Sequence, residues 1–150
     1  MDAETCRVAV AQSDAEISKC FPVMAELRPF LREADFVSRV RRQQAGSGYA
    51  LAFCESQGRT LAVGGFRISE CLAWGKFLYV DDLVAAETDR GRCFGGAILK
   101  WLVAHARAND CDQLHQRQRG AAIRRASVLS ESRHGHHGAS FCAEIERKNT

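Results

Sequence analysis

The stretch FLYVDDLVAAETDRGRCFGGAILKWL, residues 77–102, carries two periodicities with a turn between them. From Phe77 to Ala85 the residues are apolar except for Asp81 and Asp82, which reads as a strand buried over most of its length. From Phe94 onward Ile98, Leu99, Leu102, Val103 and Ala106 fall on one stripe at helical spacing. Between them lies a glycine-rich, arginine-bearing turn, Arg90-Gly91-Arg92-Cys93-Phe94-Gly95-Gly96. Unpaired N–H groups at a helix start, with the helix dipole behind them, form an anion site. Glycines admit a phosphate close to the backbone, and Arg90 and Arg92 add charge, so the junction reads as a pyrophosphate cradle. It lacks the Gly-Lys-Ser/Thr of a Walker A loop and the acidic residue of a dinucleotide-binding fingerprint. A flexible glycine turn between strand and helix is the alternative reading.

Upstream, residues 5–11 (TCRVAVA) alternate as a half-buried strand does. Ser13, with Glu16 three residues on, forms a capping box, and the helix it starts places Ile17, Cys20, Phe21, Met24 and Leu27 at helical spacing. Pro22 is expected to kink or break that helix. A second helical pattern carries Phe36, Val37, Val40 and Gln44, with Arg39, Arg41 and Arg42 expected on a solvated face. Residues 48–56 and 60–70 read as a hairpin around Gln57-Gly58, residues 76–87 as a third strand, and residues 111–115 as the start of another. The order is strand, two helices, three strands, helix, strand, an α/β arrangement.

At 150 residues and 46% hydrophobic content the chain suits one compact domain. No basic region followed by an apolar run opens it, and nothing approaches the roughly 20 apolar residues of a membrane span. A soluble, cytoplasmic protein without a membrane partner is expected. The seven cysteines lack repeated short spacing, so reduced thiols are expected rather than a disulfide framework or a zinc site. Residues 1–115 hold 14 Lys/Arg against 15 Asp/Glu, whereas residues 116–150 hold 7 against 3, so the excess positive charge lies in the tail. Every Trp and Tyr and seven of the eight Phe precede residue 116, which marks a compositional break at the same place.

The string LYVDDLVAAETDRGRCFGGAILKWL resembles the acetyl-CoA-binding motif of the GNAT superfamily of N-acetyltransferases, whose loop reads Arg/Gln-x-x-Gly-x-Gly/Ala. GYALAFCESQGRTLAVGGFRI is similar to that family's second and third strands, and the resemblance spans residues 5–115. It implies a GNAT-like core with a mixed, mostly antiparallel sheet and flanking helices. It implies acetyl-CoA as co-substrate and transfer of an acetyl group to a primary amine by direct attack on the thioester. Asp82, Leu83 and Val84 would then offer strand backbone to the pantetheine arm, and Arg90, Gly91, Arg92, Cys93, Phe94, Gly95 and Gly96 would hold the pyrophosphate. A strand N–H near Leu83 would polarise the carbonyl. An alkylamine is mostly protonated at neutral pH, so an acidic group or a water chain must take its proton. Asp81, Asp82 and Glu87 are the candidate catalytic residues, the alternative being that they serve a bulge or cap a loop. Cys93 stands where the motif has its first glycine, which is expected to weaken cofactor binding. A second reading is a non-catalytic acyl-CoA-binding or protein-interaction module.

Nothing after His115 matches the family's further helix, with its Ala-His-Arg-Phe-Tyr-like start, or its last two strands. Residues 126–141, ASVLSESRHGHHGASF, have codon choices that, read one nucleotide later, give His-Arg-Phe-Tyr-Leu-Ser-Gln-Gly-Met-Ala-Ile-Thr-Ala-His-His-Phe. The first base of each shifted codon is set by the visible residue, so wobble freedom does not easily manufacture the match. Residues 116–150 therefore read as a basic tail in a non-native frame, with the last helix and strands missing or altered. The loss removes core side chains worth about 1.5–3 kcal/mol each, and it is expected to bare a sheet edge. A short helix over residues 120–132, using Ile123, Ala126 and Leu129, is an incidental expectation. Two further readings of the tail are a metal site of His134, His136, His137 and Cys142, and phosphate contacts from Arg117, Arg119, Arg124, Arg125 and Arg133. With Phe141 its only aromatic residue, the tail offers no stacking platform, and neither a metal nor a nucleic acid is expected. Sequencing the gene across codons 110–150 tests the frame: a one-nucleotide shift should restore the motif, and codons that do not yield it would refute the reading.

Overall fold

A computed structural model describes residues 6–89, 93–117 and 123–127. The elements run β1 (Arg7–Val10), α1 (Asp14–Lys19), α2 (Phe21–Leu27), α3 (Glu33–Ser47), β2 (Ala50–Ser56), β3 (Arg59–Cys71), β4 (Gly75–Ala85), a 3-10 turn (Glu87–Asp89), α4 (Phe94–Ala108), β5 (Gln113–Arg117) and β6 (Ile123–Ser127). The strands form one sheet in chain order. All pairs are antiparallel except β4 with β5, which are joined through α4 and run parallel. This is the mixed, mostly antiparallel α/β architecture expected.

Local chemistry sets the element ends. The Ser13 hydroxyl accepts the Glu16 N–H at 3.1 Å, and the Glu16 carboxylate accepts the Ser13 N–H at 3.1 Å, so both halves of the capping box are made. The helix it begins is interrupted at Cys20, and Pro22 sits in the first turn of α2, where a missing N–H costs no intrahelical bond. Of the α3 arginines, Arg41 and Arg42 are exposed as expected, whereas Arg39 is half-buried. Arg41 donates to the Asp14 carboxylate at 2.9 Å and to the Gln12 carbonyl at 2.8 Å, tying α3 to the start of α1.

The sheet is covered on both faces. Helix α4 lays Phe94, Ile98, Leu99, Leu102 and Ala106 against Ala62, Phe66, Leu78, Val80 and Leu83. Helices α1 to α3 bury Ile17, Met24, Phe36 and Val40 against Leu51, Phe53, Val63 and Val84 on the other face. Gly64 lies under α4, where an added Cβ would sit 2.7 Å from the Ile98 Cγ2 methyl.

One expectation about the chain's end is corrected, and the sheet ends on β6 rather than on β5. Residues 123–127 form a strand, not part of a helix, and β6 pairs antiparallel with β5, so the edge of β5 is covered. Pairing satisfies the backbone groups of β5, a stronger demand than the weak apolar spacing of Ile123 and Ala126. The rest of the proposed 120–132 helix lies outside the described residues, as do His134, His136, His137, Cys142, Arg119 and Arg133. Among the described residues no helix is long and apolar enough to cross a membrane.

Replacing Gly64 with Ala should lower stability by about 1–3 kcal/mol, because the Ile98 methyl branches at Cβ and has no flexible end to swing away. Urea unfolding of the two proteins measures it; equal midpoints would contradict this packing.

Candidate active site

The site is built on a β-bulge. Opposite β3, Gly65 pairs with Asp82 and Phe66 with Val80, which leaves Asp81 as an extra residue on β4. Leu78 and Val80 face α4 before the bulge, and Leu83 and Ala85 face it afterwards. The inserted residue shifts the two-residue alternation, so consecutive carboxylates, Asp81 and Asp82, both line a pocket on the opposite side of the sheet.

That pocket measures about 260 Å³. Its apolar wall comes from α2, α3 and the segment between them, through Met24, Phe30, Leu31, Phe36 and Val40. Its polar side carries Arg28, Arg39, Gln43, Tyr49 and Arg67 around the two aspartates. Arg67 forms a two-pronged ion pair with Asp81, Nε to Oδ2 and Nη2 to Oδ1, each at 2.8 Å. Asp81 raises the pKa of the Arg67 guanidinium through that bond. Arg28 donates through Nε to Asp82 Oδ1 at 2.9 Å and through Nη2 to the Asp81 carbonyl at 3.3 Å. The Tyr49 hydroxyl donates to Asp82 Oδ2 at 3.1 Å. Tyr49 reaches Asp82 by lying across Gly65, where a Cβ would collide with the phenol oxygen.

The β4 edge away from β3 has a different character. Pairing with β5 covers only Phe77 to Val80. Among the described residues, Asp81 to Ala85 have no strand on that side. The Ala86 N–H bonds to the Leu61 carbonyl at 2.8 Å, and antiparallel alternation then turns the N–H and C=O of Leu83 away from β3, toward the open edge. An extended chain bearing amide groups fits that edge as an added strand.

At the start of α4, Cys93 is left-handed, with φ 64° and ψ 27°, a conformation that costs a non-glycine residue about 1–2 kcal/mol. Cys93 is disulfide-bonded, contrary to the expectation of uniformly reduced thiols; Cys6, Cys20, Cys54, Cys71 and Cys111 are free. Phe94 is buried in the α4 interface, and a Cβ on Gly95 would meet open space. Arg90, Gly91 and Arg92 lie outside the described residues.

The predicted site residues thus divide. Asp81 and Asp82 come together at the pocket, Leu83 and Val84 follow on the same strand, and Glu87 stands apart on an exposed turn, its N–H donating to the Glu26 carboxylate at 3.2 Å. Arg28, Arg39, Gln43, Tyr49 and Arg67 were missed. Arg39 and Gln43 come from α3 and Arg67 from β3, Arg28 follows α2 and Tyr49 precedes β2, and only Gly64-Gly65 in the middle of a strand hinted that large groups crowd in from both faces.

No protein-family model and no curated protein matches the sequence. Solved structures do match in fold. A GNAT family acetyltransferase from Staphylococcus aureus is 11% identical, with 82% of this chain and 95% of that one covered at a TM-score of 0.68. A ribosomal-protein-alanine N-acetyltransferase from Brucella melitensis is 12% identical, covering 78% and 82% at 0.67. A glucosamine-6-phosphate N-acetyltransferase from Arabidopsis thaliana is 19% identical, covering 93% and 91% at 0.62. The chain has the fold of the GNAT acetyltransferases, as its strand–turn–helix motif implied.

Burial, then the charge of Asp82 and the hydrogen bond to it, push the Tyr49 phenol well above its ordinary value of about 10. The folded protein thus holds that proton more tightly, and the stabilisation, complete below pH about 10, is lost as pH climbs toward the folded value. Buried Cys20, pushed up to about 12 by desolvation, adds a similar loss from pH about 9. Tyr49→Phe should be less stable near neutrality by about 1–3 kcal/mol, for want of the bond to Asp82, and should decline less steeply above pH about 10. Unfolding midpoints across alkaline pH measure this, with the thiol contribution common to both proteins; parallel curves would count against it.

Proposed function

We propose that the chain is an acetyl-CoA-dependent N-acetyltransferase core spanning residues 5–115, followed by a tail read in a non-native frame. One observation carries this reading: the bulge presents two carboxylates to a pocket while Leu83, on the same strand, turns its N–H to a sheet edge left open among the described residues. The open edge fits the amide-bearing pantetheine arm, with Asp82, Leu83 and Val84 as the pairing segment. Residues 90–96 would hold the pyrophosphate at the start of α4. The co-substrate supplies an activated acyl thioester.

The chain's own groups do the rest. The Leu83 N–H, turned away from β3, would bind the carbonyl oxygen where charge develops, as an oxyanion-hole donor does. The pocket holds the acceptor amine, and its carboxylates attract the ammonium form. Asp82 is the less fully ion-paired of the two carboxylates and is the proposed proton acceptor. Arg67 occupies both oxygens of Asp81, whereas Asp82 gives one oxygen to Arg28 and the other to a neutral phenol. Proton removal through Asp82, directly or by a water, frees the nitrogen lone pair.

The paired state of both carboxylates and the left-handed Cys93 favour a second reading, an acyl-CoA-binding module without turnover. Thioester consumption with a panel of primary amines separates the two. On the catalytic reading the protein consumes acetyl-CoA, and Asp82→Asn lowers kcat by about 10²–10⁴-fold. Cys93→Gly, compared in reducing buffer, should bind acetyl-CoA more tightly by calorimetry. Binding without consumption of any amine would favour the second reading, and no binding at all would defeat both.

A further inference from the structure

Three arginines line the pocket against two aspartates. Arg28 is committed to Asp82 and Arg67 to Asp81, at 2.9 and 2.8 Å. Arg39 has no ion pair or hydrogen bond among the described residues, although it stands half-buried in the wall of the pocket. Gln43, one helical turn further along α3, lines the same pocket. Residues four apart on a helix share a face, so the guanidinium and the amide are neighbouring donors. The paired carboxylates sit on the β4 side, and Leu31, Phe36 and Val40 line the wall with them. The lining thus combines two paired carboxylates, an apolar wall and one cation without a partner among the described residues.

We propose that the acceptor is a small amphoteric amine: a primary amine joined by a short apolar segment to an oxyanion, carboxylate or phosphate, held by Arg39 with Gln43. The inference rests on the reading of this pocket as the acceptor site and adds the class of acceptor. Arg39 supplies planar donors matched to either oxyanion, and the partly desolvated position strengthens the pairing. A polycation is disfavoured, because its distal charge would face Arg39. The volume of about 260 Å³ holds a molecule of metabolite size, below the ~300–1,000 Å³ of drug-sized sites.

Calorimetry with three probes of matched length tests this on the full chain: 6-aminohexanoate, an aminoalkyl phosphate and hexylamine. At least one of the two acid-bearing amines should bind more tightly than hexylamine, on the order of tenfold or more, and the tighter acid identifies the oxyanion. Arg39→Gln should collapse that difference, and Arg39→Lys should retain part of it. Circular dichroism and the unfolding midpoint verify that both variants fold. Equal binding of all three probes, binding of none, or a preference untouched by Arg39→Gln would overturn the proposal. Turnover is scored separately. An acid-bearing amine that binds through Arg39 without being acetylated defeats the catalytic reading alone, and hexylamine acetylated with the higher kcat/KM defeats the acceptor class alone.

Discussion

One extra residue in β4 organises the site. Side chains on a strand alternate between faces, so Asp81 and Asp82 in a regular strand would point in opposite directions, one of them into the apolar layer under α4. A carboxylate buried there without a partner would cost several kcal/mol or be forced neutral. The bulge removes the conflict by shifting the alternation by one, which returns Leu83 and Ala85 to the α4 face and leaves both acids on the pocket side. The same irregularity lies where β4 loses its β5 partner, so the pocket and the open edge share a border.

Having two acids on one face creates a second requirement, since like charges side by side repel. Arg67 from β3 and Arg28 from the end of α2 answer it, each with a charge-assisted bond, and Tyr49 contributes a neutral donor. Each partner arrives from a different element and needs room. Gly65 is bare so that the Tyr49 ring can cross it, and Gly64, its neighbour, is bare so that α4 can close on the opposite face. Two adjacent glycines thus serve two different layers. The β4 side is fully paired, and Arg39, on α3, is left without a partner among the described residues.

Much of the fold was legible because local rules and tertiary demands agree. The capping box at Ser13, the break at Pro22, the Gln57-Gly58 hairpin and the α4 stripe each follow from chemistry within a few residues. The reading of residues 120–132 failed because the deciding partner was not local: an unpaired β5 edge outweighs a sparse helical spacing. Arg39 illustrates the same limit. Its neighbours in the chain, Arg41 and Arg42, are exposed, and nothing in the string RVRRQQ distinguishes a pocket arginine from a solvated one.

The sequence by itself determined the order of elements from β1 to β5, the strand–turn–helix junction from Phe77 to Leu102 and the pair of acids at its centre, because periodicity, capping and turn chemistry act over short separations. Only the tertiary structure decided which face those acids occupy, which arginines neutralise them and which one is left over. Those outcomes depend on register across strands and on helices packing from distant parts of the chain, where a one-residue shift reverses the direction of every side chain that follows.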